Sequence, residues 1–198
     1  MNARSEKFLS AVHPELARRA RIIAARLATY GYPVEIGQGL RTVAEQNVLF
    51  SQGRTRKGRI ITKAAGGFSP HNFGCAVDFL LAKPVPLVLA NGTTKLDVRH
   101  NPILTLFPDY TLSGGKVMEH PLWKLLSLEI ETVGLVSGYN WKSFQDKPHV
   151  EIPELDYTHG VVFRALYKQG GMSAVWKAAD AVFDKYPVKE DATKNFEI

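Results

Sequence analysis

Between Gly74 and Leu81 the chain alternates, with Cys75, Val77 and Phe79 on one face and Ala76, Asp78 and Leu80 on the other. A period of two marks a strand with one face against a core. A carboxylate, Asp78, is therefore held on the face away from the bulky aromatic. A strand of this kind needs partners, and the segments around it supply short strands and amphipathic helices. The expected fold class is α+β, a small antiparallel sheet with helices packed around it.

Pro14 to Tyr30 predicts a helix, with Leu16, Ala20, Ile23 and Leu27 at helical spacing, Pro14 in the first turn and Gly31 closing the end. Pro33 to Gly37 alternates briefly and predicts a short strand. Thr42 and Glu45 have the spacing of a capping box, so a helix should run from Thr42 to about Gln52, with Arg41 at the strand-to-helix junction. Gly53 to Phe68 reads as a long basic loop. Lys83 to His120, rich in Pro, Gly and Asn, reads as an irregular excursion. A helix over Pro121 to Val133 is followed by strands at Leu135 to Trp141 and Pro148 to Ile152. Two helices, Tyr157 to Gln169 and Met172 to Tyr186, complete the fold, the stripe around Trp176 being core. The tail from Pro187 to Ile198 is polar. No repeat or linker interrupts the 198 residues, which read as one domain with a motif core over about 37–152.

One cysteine, Cys75, excludes an intramolecular disulfide and any structural zinc site that needs two thiolates. A buried small hydrophobe is the expectation for it. No run approaches the roughly 20 apolar residues of a membrane span, and Met1 to Lys7 has no apolar stretch behind it like that of a signal peptide. Synthesis in the cytoplasm without membrane insertion is expected. The net charge of +6 favours a polyanionic partner, whether nucleic acid, anionic lipid or bacterial wall polymer. The cluster Arg54, Arg56, Lys57, Arg59 and Lys63 is either a contact for such a polymer or a solvated loop. No helix-turn-helix, zinc finger or RNA-binding signature is present, so nucleic acid is not the expected partner.

Six histidines occur, and a lone one is usually ordinary. His13, His100, His120 and His159 read as surface or helix-start residues. His71 and His149 differ by context. His71 leads into the strand that carries Asp78, and His149 follows Pro148 with Asp146 and Glu151 on either side. Two imidazoles and one carboxylate suit a single zinc ion that keeps its fourth position for water. Asp146 could take a proton from that water. Glu151 either orients a ligand or faces solvent.

The ordered set Gly39-Leu40-Arg41-Thr42 with Gln46, Ser69-Pro70-His71 with Gly74 and Ala76-Val77-Asp78, and Trp141 with Asp146-Lys147-Pro148-His149-Val150-Glu151 resembles the zinc D,D-/L,D-peptidases of peptidoglycan. That group comprises D-alanyl-D-alanine carboxypeptidases and L-alanyl-D-glutamate endopeptidases, and the phage endolysin branch is the most similar. The resemblance implies the Hedgehog/D-Ala-D-Ala-peptidase-like fold, with Zn²⁺ on His71, Asp78 and His149 and with Asp146 as catalytic acid/base. It implies that Arg41 holds or polarises substrate near the reacting carbonyl and that Ser69 lies beside the metal site and contacts substrate. Two departures stand out. Val136-Ser137-Gly138-Tyr139-Asn140-Trp141 lacks the paired glycines often found before the tryptophan, and the 83–120 excursion is long.

The implied activity is hydrolysis of the L-Ala–D-Glu bond of the peptidoglycan stem peptide by a phage or prophage lysin. A D-alanyl-D-alanine carboxypeptidase is the neighbouring alternative, and a non-catalytic wall-binding or virion module a further one. A monomer is expected. As a lysin it would wait in the producing cell's cytoplasm for a holin-type permeabilising partner; a virion-borne location is the other option.

Overall fold

The alternating strand forms, and it is longer than its alternation indicates. A computed structural model of the chain describes residues 1–86, 93–94, 96, 104–108, 121–155 and 161–190. In chain order the elements are α1 (Ala3–Leu9), α2 (Pro14–Thr29), β1 (Val34–Gln38), α3 (Val43–Ser51), β2 (Ala76–Pro86), β3 (Leu104–Pro108), α4 (Pro121–Thr132), β4 (Val136–Ser137), β5 (His149–Glu151) and α5 (Val161–Phe183). Short 3-10 turns occupy Pro70–Phe73 and Gly138–Asn140. The class is α+β.

The sheet is antiparallel in the order β1-β2-β5-β4, and β3 pairs with the second half of β2. Register matters more here than length. Asp78 lies directly opposite His149, and Ala76 opposite Glu151. Residues paired directly across an antiparallel ladder project from the same face, so β2 and β5 deliver a carboxylate and an imidazole side by side. On the other side β1 bulges between Ile36 and Gln38, which sets Gln38 opposite Asp78. The bulge needs Gly37, because a Cβ there would come within 2.7 Å of Leu80 Cγ.

Cys75, just before β2, and Val77 and Phe79 on its opposite face enter the core, where they join the α2 stripe Leu16, Ala20, Ile23 and Leu27. Trp123, Leu126 and Ile130 of α4 and Phe163, Val175 and Ala179 of α5 complete it. Each large apolar side chain removed from water contributes about 1.5–3 kcal/mol. Arg19 is buried at the junction of three helices. It pairs with Glu15 at 2.8 Å and donates to the carbonyls of Val133, Phe183 and Tyr186, where α4 and α5 end. A cation there satisfies carbonyls that no helix can pair.

Local signals matched local structure. Thr42 and Glu45 form the expected capping box, and His13 caps α2 by accepting from the Glu15 N–H. Gly170 and Gly171 interrupt α5 with non-helical backbone, near the expected break between two helices. Two expectations need correction. Residues 104–108, assigned to an irregular excursion, form β3, which pairs with residues 82–86 across the intervening segment. The strand expected over Leu135 to Trp141 stops at Ser137, because Ser137 caps a 3-10 turn in which Gly138 is packed against Asp146. An N-terminal helix, α1, forms with Asn2 accepting from the Ser5 N–H. His100, His120, His159, the start of the helix expected at Tyr157 and the tail 191–198 lie outside the described residues.

Candidate metal centre

The 3-10 turn Pro70–Phe73 presents His71. Ser69 caps the turn, and Gly74 ends it in the left-handed region with φ 64° and ψ 25°. Trp176 of α5 locks the turn from below by donating Nε1–H to the Phe73 carbonyl at 2.9 Å. His71 Nδ1 lies 2.8 Å from the Gly39 carbonyl oxygen. A carbonyl can only accept, so Nδ1 carries the proton and the Nε2 lone pair faces the other way. It faces His149 Nδ1 at 3.2 Å and Asp78 Oδ1 at 3.2 Å.

His149 is oriented by the same device with the nitrogens exchanged. Its Nε2 lies 3.0 Å from Glu151 Oε2, which leaves Nδ1 turned inward, 3.3 Å from Asp78 Oδ1. Glu151 is therefore a partner of the ligand and does not merely face solvent. Four ligands around zinc at the usual ~2.0–2.1 Å bond length stand roughly 3.3 Å apart in a tetrahedron. The three separations observed, 3.2, 3.2 and 3.3 Å, fit three of its corners. The donor set is the nitrogen and oxygen set that zinc takes, and each imidazole has a fixed tautomer and an outer hydrogen-bond partner.

The charges agree with the geometry. Burial opposes ionisation of Asp78, but His71 and His149 outweigh it and hold the carboxyl far below the usual carboxylate range. Burial likewise works against a charged His149 ring, yet Asp78 and Glu151 push it up to about 10. Two carboxylates on opposite sides of one imidazole thus favour positive charge on it, and a proton competes with a metal ion for Nδ1.

Asp146 behaves in the opposite way. Burial, then the nearby Asp78 charge, raise its pKa above the ordinary carboxylate value, partly offset by His149, His71 and Arg41. A raised carboxyl is suited to carrying a proton in a reaction. Its backbone is clamped on both sides, the N–H donating to the Gly138 carbonyl at 3.0 Å and the carbonyl accepting from the His149 N–H at 3.2 Å. A Cβ at Gly138 would fall 2.2 Å from the Asp146 carbonyl oxygen, so that close approach requires glycine.

Arg41 is anchored by its own N–H, which donates to the His71 carbonyl at 2.9 Å. Its guanidinium donates to Gln46 Oε1 at 2.7 Å and approaches Asp78 Oδ2 at 3.5 Å. Its Nε is buried and makes no hydrogen bond among the described residues. Ser69 is buried and spends its hydroxyl on the His71 N–H at 3.4 Å. All six residues singled out in sequence (Arg41, Ser69, His71, Asp78, Asp146 and His149) line one cavity of about 790 Å³.

Trp141 and Phe144 also line this cavity, and Gln46 supports it from α3. Trp141 lies with its ring 5.0 Å from that of His149, and Phe144 stands on the 141–146 loop with a positive φ of 59°. Gln46 is fully buried on α3 and donates to the Ala64 carbonyl at 2.8 Å while accepting from Arg41. Gln46 and Trp141 already stand in the ordered motif set of the sequence, whereas Phe144 carried no such sign.

Comparison with known proteins agrees with the motifs. An M15 peptidase family model described as D-alanyl-D-alanine carboxypeptidase matches residues 62–152, and the VanY model, under the same description, matches residues 9–101. The peptidoglycan L-alanyl-D-glutamate endopeptidase CwlK of Bacillus subtilis (strain 168) is 34% identical over 143 residues, which is 72% of this chain and 74% of that protein. The crystal structure of the Serratia marcescens L-Ala D-Glu endopeptidase ChiX matches with a TM-score of 0.42 and 21% identity over 76% of this chain and 87% of that one, a likeness too slight to bear on function. With a relative of that identity spanning most of both chains, the protein belongs to the zinc D,D-/L,D-peptidase family of peptidoglycan enzymes.

Proposed function

We propose that this chain is a zinc-dependent endopeptidase that hydrolyses the L-Ala–D-Glu bond of the peptidoglycan stem peptide. The observation that carries the reading is the trio of ligand atoms 3.2–3.3 Å apart, set in a cavity with a carboxyl of raised pKa. His71, Asp78 and His149 hold the ion. When bound, zinc supplies Lewis acidity for the scissile carbonyl and makes water nucleophilic near neutral pH. Asp146 accepts the proton of the attacking water and passes it to the departing amine of the D-glutamyl residue. Arg41 donates to the carbonyl oxygen as negative charge grows on it, with Gln46 holding the guanidinium in place. Glu151 and the Gly39 carbonyl keep the two imidazoles turned inward.

The choice of bond is supported by the likeness to CwlK, named for L-alanyl-D-glutamate cleavage. The family models, described as D-alanyl-D-alanine carboxypeptidase, favour a second reading, removal of a terminal D-Ala. In either case residues 1–198 act as one monomeric peptidase domain. A net charge of +6 suits approach to an anionic wall. A phage-type lysin is the role we favour, reaching the wall from the cytoplasm once a holin-type protein opens the membrane. Mass spectrometry of digested muropeptides tests the reaction. A new N-terminal D-Glu is expected from the zinc-loaded protein, and loss of a terminal D-Ala alone would establish the second reading instead.

A further inference from the structure

The cavity is rich in acid for a site that takes an anionic substrate. Asp78, Asp146 and Glu151 line it. In a stem peptide that continues through the glutamyl side chain, the α-carboxylate sits on the carbon that bears the scissile nitrogen. That anion enters beside three carboxyl groups, of which only Asp78 would be on the ion, and a further cation at the rim favours its binding.

Apart from the histidines, two cations line the cavity among the described residues, Arg41 and Lys63. Arg41 is committed to Gln46 and Asp78. Lys63 is exposed and forms no ion pair among the described residues. Its ammonium lies 5.3 Å from the centre of the Phe144 ring. Phe144 stands two positions before Asp146, so Lys63 reaches across the cavity from the 62–65 segment to the loop that carries the acid/base.

Lys63 also sits on a fixed backbone. Gln46 Nε2 donates to Thr62 Oγ1 at 3.4 Å and to the Ala64 carbonyl at 2.8 Å, the residues on either side of it. The same glutamine accepts from Arg41 at 2.7 Å. One buried side chain thus sets the distance between the cation beside the reacting carbonyl and the backbone of the cation at the rim.

Resting on the L-Ala–D-Glu reading, we infer that Lys63 is the specificity-determining residue of this site and pairs the free α-carboxylate of the D-glutamyl residue. The Phe144 face holds the ammonium in position, and the substrate carboxylate supplies its counter-charge. A carboxamide in place of that carboxylate removes the charge and leaves the shape, so the enzyme should separate the two.

The test uses the zinc-loaded full chain and two synthetic peptides, L-Ala–γ-D-Glu–L-Lys with the glutamyl α-carboxyl either free or as the carboxamide. Wild type is expected to show a KM about tenfold lower for the free acid, the size of one charge-assisted contact at a partly exposed site. In Lys63→Met the ratio of the two KM values falls to about one, in Lys63→Glu it inverts, and Lys63→Arg keeps the preference. The kcat for the free acid changes far less than its KM. An unchanged ratio in Lys63→Met and Lys63→Glu, with cleavage at L-Ala–D-Glu intact, overturns the role of Lys63 alone. Cleavage of neither peptide by wild type overturns the bond assignment, and the role of Lys63 with it.

Discussion

Glu151 accepts a hydrogen bond from His149 Nε2 at 3.0 Å, and this leaves His149 Nδ1 facing His71 Nε2 at 3.2 Å. The carboxylate thereby chooses which nitrogen is offered to a metal. It also adds negative charge behind the ring, which makes the imidazole a better donor.

Removing that partner should weaken the metal site without dismantling the fold. Glu151→Gln keeps the shape and one acceptor oxygen but loses the charge. Zinc affinity, measured by competition with a chromophoric chelator, is expected to fall about 10–100-fold. An affinity equal to wild type would mean that Glu151 does not tune His149.

Asp146 carries a cost that function explains. Its folded pKa is raised above the unfolded value of 3.8, chiefly by burial and then by Asp78. A carboxyl raised in this way favours folding only while protonated, and that contribution is lost as pH rises through the folded value. Asp146→Asn should therefore stabilise the metal-depleted chain at neutral pH, the gain vanishing below about pH 3.8. The same variant should lower kcat about 10²–10⁴-fold. In wild type, kcat/KM should fall on the acid side as Asp146 takes up a proton. Thermal unfolding across pH and a pH–rate profile check both halves.

Gly138 is the steric keystone of the loop. A Cβ there would lie 2.2 Å from the Asp146 carbonyl oxygen and 3.1 Å from His149 Cβ. Both the acid/base and a metal ligand would have to shift. Gly138→Ala is expected to lose roughly 1–3 kcal/mol of stability. Displacement by about 1 Å at a reacting group costs on the order of 10²-fold in rate. Wild-type kinetics in this variant would show that the loop has slack that the packing does not suggest.

What could be read from the chain divides by distance in sequence. Thr42 and Glu45 are three positions apart, and their capping box forms as the spacing implies. The α2 stripe and the face of Asp78 follow from periods that a single segment carries. β3 escaped notice because its pairing with residues 82–86 is remote and its short apolar run, Leu104 to Phe107, is set in a segment rich in Pro, Gly and Asn. The site residues were named from ordered motifs, whereas their meeting depends on register: Asp78 opposite His149, and a bulge at Gly37. Glu151 was half legible, since residues two apart on a strand share a face. Lys63 looked like one charge in a basic loop, and only Gln46 and Phe144 give it a place.

Zinc content of the purified chain, measured alongside muropeptide cleavage, tests the metal centre most directly. One zinc per chain is predicted, with cleavage lost to a chelator, restored by added zinc, and both ion and activity missing from His149→Ala. Full cleavage by a metal-free chain, or an undiminished zinc stoichiometry in His149→Ala, would contradict the account.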